Sequence, residues 1–361
     1  MALKPLAGVL FKPLTPGYSF RWGGEFSPHT RGPQAYSQST PLPLPSTTAG
    51  ALAGVILSLT GESLCSETGV YGDTLHGLRR LGGTGCSRVA LRGPYLYARQ
   101  GEEWLLCMPA GRGQGLFCVA SRGGNIAAYK VTPPTLQSIG IALDNLSKTT
   151  ITELIYTAVY TDPLSALQAA SKAGGLSITP WSTKTAGILV EVYADESCEN
   201  NVKVVNGAVV QLGGETRPAE IHVTQHTPGL ELARSLTERG YYLYVATPIL
   251  LPSEDLVDVD REAVSVIRDV IGGIGLETNA SRPVVRGRLR LSAIGLGYSL
   301  CRDRRRPYNA AILPGVVLDA HPSGGRSLEE AYMAGFGKYS EVGWGTLLPI
   351  PRAALQGDSG G

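Results

Sequence analysis

The sequence predicts an α+β fold in which a βαββαβ unit occurs twice. Three observations carry this. Gly (46) and Pro (24) are abundant among the 361 residues, and charged residues are only 17%. Such a chain has many turns and long loops, which excludes a helical bundle. The first half orders its elements as strand, helix, several strands, helix, strand. The second half repeats that order, with negligible identity between the halves. The division falls at residues 1–226 and 227–361.

The elements follow from local pattern. Residues 5–20 (PLAGVLFKPLTPGYSF) read as a strand running into a loop. Residues 21–45 are irregular and rich in Gly, Pro, Ser and Tyr. Thr48 to Leu59 is an apolar helix with Ser46 or Thr47 as its N-cap. A helix start beside a basic loop suits an anion, although simple capping explains it equally. Residues 88–131 form extended strands. A hairpin pairs 139–143 with 151–160, and 186–194 is a strand. Residues 200–212 have helical spacing, and 219–224 is a strand. In the repeat, 241–250 is a strand and 255–271 an acidic helix. Segments 284–300 and 309–320 are strands, 327–334 is a helix, and 346–350 closes the sheet.

Between that last helix and last strand lies GFGKYSEVGWG, Gly335 to Gly345. Four glycines in eleven residues raise the entropy cost of order too far for a regular element. Such backbone turns sharply or lies against a ligand, and exposed N–H groups beside Lys338 suit phosphate. It is no dinucleotide fingerprint, because position 340 is Ser and the strand–helix order is reversed.

Charge is uneven although the net is +2. Residues 1–143 carry net +6, 144–281 net −9 and 282–361 net +5. Two basic ends that meet would form one face for a polyanion. Arg79, Arg80, Arg88, Arg92 and Arg99 lie in an acid-free stretch with Tyr95 and Tyr97, and Tyr129 follows. Charge plus stacking surface suits single-stranded nucleic acid. Arg286, Arg288 and Arg290 alternate along an expected strand and share one face, as a charged edge strand would also do. Arg302, Arg304, Arg305 and Arg306 follow in a turn.

The six cysteines have no C-x-x-C spacing and no His at ligand distance in sequence, so no zinc site is expected and buried free thiols are the default. One or two disulfides would suit a thermophilic host. The chain reads as a soluble intracellular protein: no apolar run is long enough to span a bilayer, and prolines interrupt the N-terminus. His29, in the basic loop, is the best general-base candidate for metal-independent RNA cleavage. The acids at 254–262 read as a solvated helix start.

Taken together, LFKPLTP, LPLPSTTAGAL at 42–52, IGIALDNLSKTT at 139–150 with LIYTAVY at 154–160, LGGETRPAE at 212–220 and GFGKYSEVGWG at 335–345 resemble a CRISPR family. It is the repeat-associated mysterious proteins (RAMPs), and within them the third subunits of Cmr (type III-B) effector complexes. The resemblance implies two tandem ferredoxin-like (RRM-like) domains with long loop and β-hairpin insertions. It implies a cytoplasmic, non-catalytic RNA-binding subunit in antiviral defence, without cofactor or metal. Such subunits cap the 5′ repeat-derived tag of the guide RNA (crRNA). They dock the large polymerase/cyclase-like subunit and adjoin the Cmr backbone subunits. Carried over, the RNA contacts are Arg21, Arg31, Ser46, Thr47, Thr48, Arg217, Gly335, Gly337, Lys338, Tyr339, Gly343 and Gly345. Arg92, Arg286, Arg288 and Arg290 are further candidates. The alternative is a RAMP endoribonuclease that processes guide RNA, with His29 as base.

Overall fold

A computed structural model describes residues 2–358 except 19, 22–38, 64, 66, 112–114, 144–149, 214–216, 237–239, 253–269, 279–284, 287–288 and 300. Arg31, His29, Arg288 and the acidic segment 254–262 lie outside the described residues. So does the Arg21 side chain, whose backbone pairs Phe20–Arg21 with Ser39–Thr40.

The mixed α and β class with antiparallel sheets is as expected. In the first part the elements are β1 (Leu3–Pro13), α1 (Pro45–Thr60), α2 (Gly72–Arg79), β2 (Val89–Gln100), β3 (Glu103–Pro109), β4 (Leu116–Arg122) and β5 (Asn125–Val131). Then come the hairpin β6 (Thr135–Leu143) and β7 (Thr150–Thr161), α3 (Pro163–Ala173), β8 (Ala186–Asp195), β9 (Val209–Leu212) and β10 (Arg217–Thr224). One eight-stranded sheet has the order β9-β10-β1-β8-β2-β3-β4-β5. β1 sits inside it, with Val9 opposite Val190 on β8 and Val223 on β10.

Neighbouring residues of β1, β2 and β8 are buried on both faces, so both faces are covered at the centre of this sheet. Val9, Phe11, Leu91, Leu96, Ile188 and Val190 face a core shared with Leu52 and Ile56 of α1. Leu10, Tyr95, Tyr97, Leu189 and Tyr193 face a second core. That second core is completed by the C-terminal part: α4 (Pro228–Ser235), β11 (Tyr241–Val245), α5 (Leu328–Ala334) and β17 (Leu347–Pro351), through Leu230, Tyr244, Tyr332 and Leu348.

The C-terminal part also holds β12 (Ile249–Leu250), β13 (Val285–Arg286), β14 (Leu291–Gly295), β15 (Tyr308–Ile312) and β16 (Val317–Leu318). Its sheets run β13-β16-β11-β17 and β12-β15-β14. Taking four strands in chain order, β10-β1-β8-β2 and β17-β11-β16-β13 both read fourth, first, third, second.

Three expectations are corrected. Residues 200–212 do not form a helix: Val202–Val205 is one 3-10 turn, and Val209–Leu212 is a strand paired with β10. Asn206-Gly207, with Gly207 at φ +81°, breaks the run, and the β-branched valines suit the hairpin edge. The expected strand 284–300 is broken, so Arg286 and Arg290 share no strand face; Arg286 ends β13 and Arg290 precedes β14. Three helices went unread. One is α3, whose start at Asp162-Pro163 is a capping signal: Asp162 accepts from the backbone N–H of Leu164 and Ser165. The others are α2 and α4.

The cysteines are not free thiols. Cys65–Cys301, Cys86–Cys198 and Cys107–Cys118 are disulfides. The last joins directly opposed residues of β3 and β4. The first spans 236 residues and ties the α1–α2 loop to the turn at 301. Mass spectrometry after alkylation without reductant should find no free thiol, and after reduction all six. Alkylation of any cysteine before reduction contradicts the pairing.

Candidate functional site

α5 begins with a capping box between Ser327 and Glu330. It ends at Gly335, and there the glycine-rich segment starts. Its four glycines all have positive φ: Gly335 +70°, Gly337 +75°, Gly343 +100° and Gly345 +65°. Each also meets close neighbours. A Cβ on Gly335 would come within 2.7 Å of Arg92 Cζ, and one on Gly345 would overlap the Phe336 carbonyl oxygen. Glycine is therefore required twice over, by backbone angle and by space.

The segment is folded inward. Trp344 is 0% exposed, with Phe336 and Val342 also buried. Trp344 Nε1 donates to the Tyr71 hydroxyl at 2.9 Å, and Tyr71 donates to the Leu296 carbonyl at 2.8 Å. The backbone N–H groups of Gly335, Phe336, Lys338, Val342, Gly343 and Gly345 all donate to protein carbonyls. These six of the segment's eleven amides are already committed within the protein and are not free to cradle a phosphate. The side chains of Lys338 and Tyr339 remain partly exposed at the rim. Tyr339, itself left-handed at φ +54°, packs edge-on to Tyr71 at 5.1 Å. The Lys338 ammonium makes no hydrogen bond or ion pair to a described residue.

Arg92 is also corrected as an RNA contact. It is 0% exposed, on β2. Its Nε donates to the Tyr332 carbonyl and Nη1 to the Ser340 carbonyl, both at 2.6 Å. It also donates to the carbonyls of Leu91 and Met333. Tyr332 and Met333 lie in the last turn of α5, whose carbonyls lack helical partners. One guanidinium thus satisfies the helix end and the glycine segment together. Burial pulls its pKa down to about 10, leaving it charged at neutral pH.

Beside it lies a buried carboxyl. Glu191 accepts from Tyr193 (2.5 Å), Tyr332 (2.7 Å) and the Gly229 N–H (2.7 Å). Tyr332 also bonds Tyr95 at 2.8 Å. Burial raises Glu191 to about 7, against the hydrogen bonds that lower it.

The other predicted residues divide. α1 starts at Pro45, not Thr48, so neither Ser46 nor Thr47 is its N-cap. Ser46 and Thr48 are buried, and Thr48 Oγ1 donates to the Pro45 carbonyl at 3.0 Å. Thr47 is half-buried. This helix start adjoins the glycine segment: a Cβ on Gly343 would lie 3.2 Å from Pro45 Cβ. The structure thus brings together Ser46, Arg92, Gly335 and Gly343, as packing. Arg217 is elsewhere, on β10, over the Tyr160 ring at 5.6 Å. Arg286 is exposed over the Tyr242 ring at 4.6 Å, and the exposed Arg290 lies against Gly111.

The acid-free basic stretch finds its acids at a distance in sequence. Arg79 pairs with Glu67, Arg80 with Glu62 and Arg88 with Glu341. Tyr95 and Tyr97 are core, not stacking platforms. Arg306 is likewise structural, paired with Asp73 at 2.8 Å. Asp73 is held below its usual range: burial opposes this, but Arg306 and its hydrogen bonds prevail. The turn read as basic does face outward at Arg302, Arg304 and Arg305, and the exposed Tyr298 and Tyr308 beside it had not been read from the sequence. The described histidines each have a polar neighbour: His76 with Glu62, His222 with Glu220, His226 with Arg99, His321 with Tyr241.

No protein-family model matches the chain. A curated protein of Saccharolobus solfataricus, described as CRISPR system CMR subunit Cmr3, is 25% identical over 371 residues, covering 96% of this chain and 98% of that one. The resemblance read from the motifs therefore holds along the whole chain. Among solved structures, a chain of a type III-B Cmr-beta complex bound to cognate target RNA and AMPPnP matches with TM-score 0.48 and 19% identity, covering 86% of this chain and 85% of that one. A second such complex, with cognate target RNA, gives 0.47 and 18%, covering 86% of each. A Cas6 product complex gives 0.23 and 15%, covering 47% of this chain and 82% of that one.

The Glu191 site generates a pH prediction. Its folded pKa of about 7 exceeds the unfolded value of 4.5, so the folded state holds more protons between them. Stability at this site is full below about pH 4.5 and falls as pH rises to about 7. Glu191→Gln keeps an acceptor for Gly229 and removes the titration. Thermal melts from pH 5 to 8 should show the variant gaining on the parent as pH rises. A constant difference contradicts the assignment.

Proposed function

We propose that this chain is an RNA-binding, non-catalytic subunit of a type III-B Cmr effector complex, acting in the cytoplasm in antiviral defence. It caps the 5′ repeat-derived tag of the guide RNA and docks the large polymerase/cyclase-like subunit beside the backbone subunits. The observation that carries this is the 25% identity to Cmr3 across 96% of the chain. The relation spans both ends, including the glycine-rich segment.

The fold assignment is two tandem ferredoxin-like units, 1–226 and 227–361. The shared strand order of β10-β1-β8-β2 and β17-β11-β16-β13 supports it. In the first unit a 3-10 turn and β9 stand where the second helix would be. No helix among the described residues is long and apolar enough to cross a membrane. Three disulfides in a cytoplasmic protein suit a thermophilic host.

The tag contacts assigned are the side chains of Lys338 and Tyr339 at the rim of the glycine segment, with Arg217, Arg286 and Arg290 as outlying phosphate partners. Lys338 has no counterion among the described residues, which leaves its charge to meet phosphate. The glycines act indirectly, by fixing where that lysine stands. The double variant Lys338→Glu, Arg217→Glu should bind tag RNA at least ~10-fold more weakly in a filter-binding assay. Parent affinity should fall steeply with salt, as phosphate neutralisation requires. Unchanged or salt-insensitive binding removes the basis of the reading.

A further inference from the structure

A second cationic place lies far from the glycine segment. Arg99 stands at the end of β2, seven residues beyond Arg92, roughly 20 Å along the strand. Together with Lys184 and His226 it lines an open cavity of ≈ 580 Å³. The turn bearing Lys184 is fixed to β2 on both sides. Thr183 Oγ1 and Thr185 Oγ1 both donate to the Arg99 carbonyl, at 2.9 and 3.1 Å.

The cavity contains positive charge without a counterion among the described residues. Arg79, Arg80, Arg88, Arg122, Arg234, Arg306 and Arg352 each have a carboxylate within 3.4 Å. Arg99 has none. Its Nε donates to the Gly101 carbonyl at 3.0 Å and its Nη1 to His226 Nδ1 at 2.8 Å. Lys184 makes no hydrogen bond or ion pair to a described residue. Among the described residues no carboxylate lines the cavity. Since Nδ1 accepts from Arg99, the proton of neutral His226 sits on Nε2. Three donor groups thus share one concave wall.

We propose that this depression is a phosphate-binding site, in which Arg99 and Lys184 hold the oxygens of a phosphate group beside the Nε2–H of His226. A guanidinium and an ammonium with no acid between them are the chemistry that phosphate selects. The ligand is either a free phosphate compound or a phosphodiester of RNA. The site shares no residue with the tag contacts, so either assignment can fail without the other.

His226 reports occupancy. Burial and then Arg99 depress its pKa, while Glu231, exposed on α4, opposes them. A bound anion adds to the Glu231 effect and raises the midpoint. The test is an NMR titration of His226 at low salt, alone, with inorganic phosphate, and with a uridylate hexanucleotide. The expected result is a rise of ~0.5 pH unit or more with at least one probe. In Lys184→Ala, an exposed position where folding is not at risk, most of that rise should vanish. Movement with inorganic phosphate assigns a free phosphate ligand; movement with the hexanucleotide alone assigns RNA backbone. No movement with either probe, or an equal rise in Lys184→Ala, overturns the proposal.

Discussion

The structure depends on a buried arginine that has carbonyl oxygens, not a carboxylate, as its partners. Arg92 leaves water completely, which costs several kcal/mol for any ion. Four carbonyls offset that cost, and charge-assisted hydrogen bonds contribute about 1.5–3 kcal/mol each. Two of those carbonyls end α5 and one belongs to the glycine segment. A strand of the first sheet is thereby tied to a helix and a loop nearly 250 residues later. Glu191, facing Arg92 in register on β8, ties the same sheet to α5 through Tyr332 and to α4 through the Gly229 N–H.

This tie explains the glycines. A loop drawn against Arg92, Gly93, Leu250 and Pro45 has no room for side chains at Gly335, Gly337 and Gly343. The segment is a close-packing device that carries one lysine and one tyrosine at its rim. Its value for an RNA-binding role would lie in rigidity: the charge of Lys338 is presented from a fixed base, with less entropy to lose on binding.

Much of the fold was legible because its signals are local. The β6–β7 hairpin, α5 with its Ser327–Glu330 box, and the first and last strands β1 and β17 follow from pattern and capping. What was not legible is long-range. Nothing near Arg92 in sequence says that its partners are residues 332, 333 and 340. Nothing near Arg79 or Arg80 places Glu67 and Glu62 beside them across a turn. Charge counted by segment therefore overstated the free basic surface. Cysteine pairing is similarly non-local, with Cys65 and Cys301 far apart in sequence. The run at 200–212 misled because apolar residues at helical spacing also suit a turn and a short strand, and Asn206-Gly207 settles which. The glycine segment was recognised as special, but its spacing could not tell a ligand-facing backbone from one that packs on its own protein.

The central claim is that Gly335 to Gly345 is pinned core backbone and not an open anion loop. Native-state hydrogen exchange followed by mass spectrometry tests it most directly. The account predicts that the amides of Phe336, Lys338, Val342 and Gly345 exchange as slowly as those of β2, in free protein without RNA. Exchange of this segment at the rate of an unprotected loop, while β2 stays protected, would contradict it.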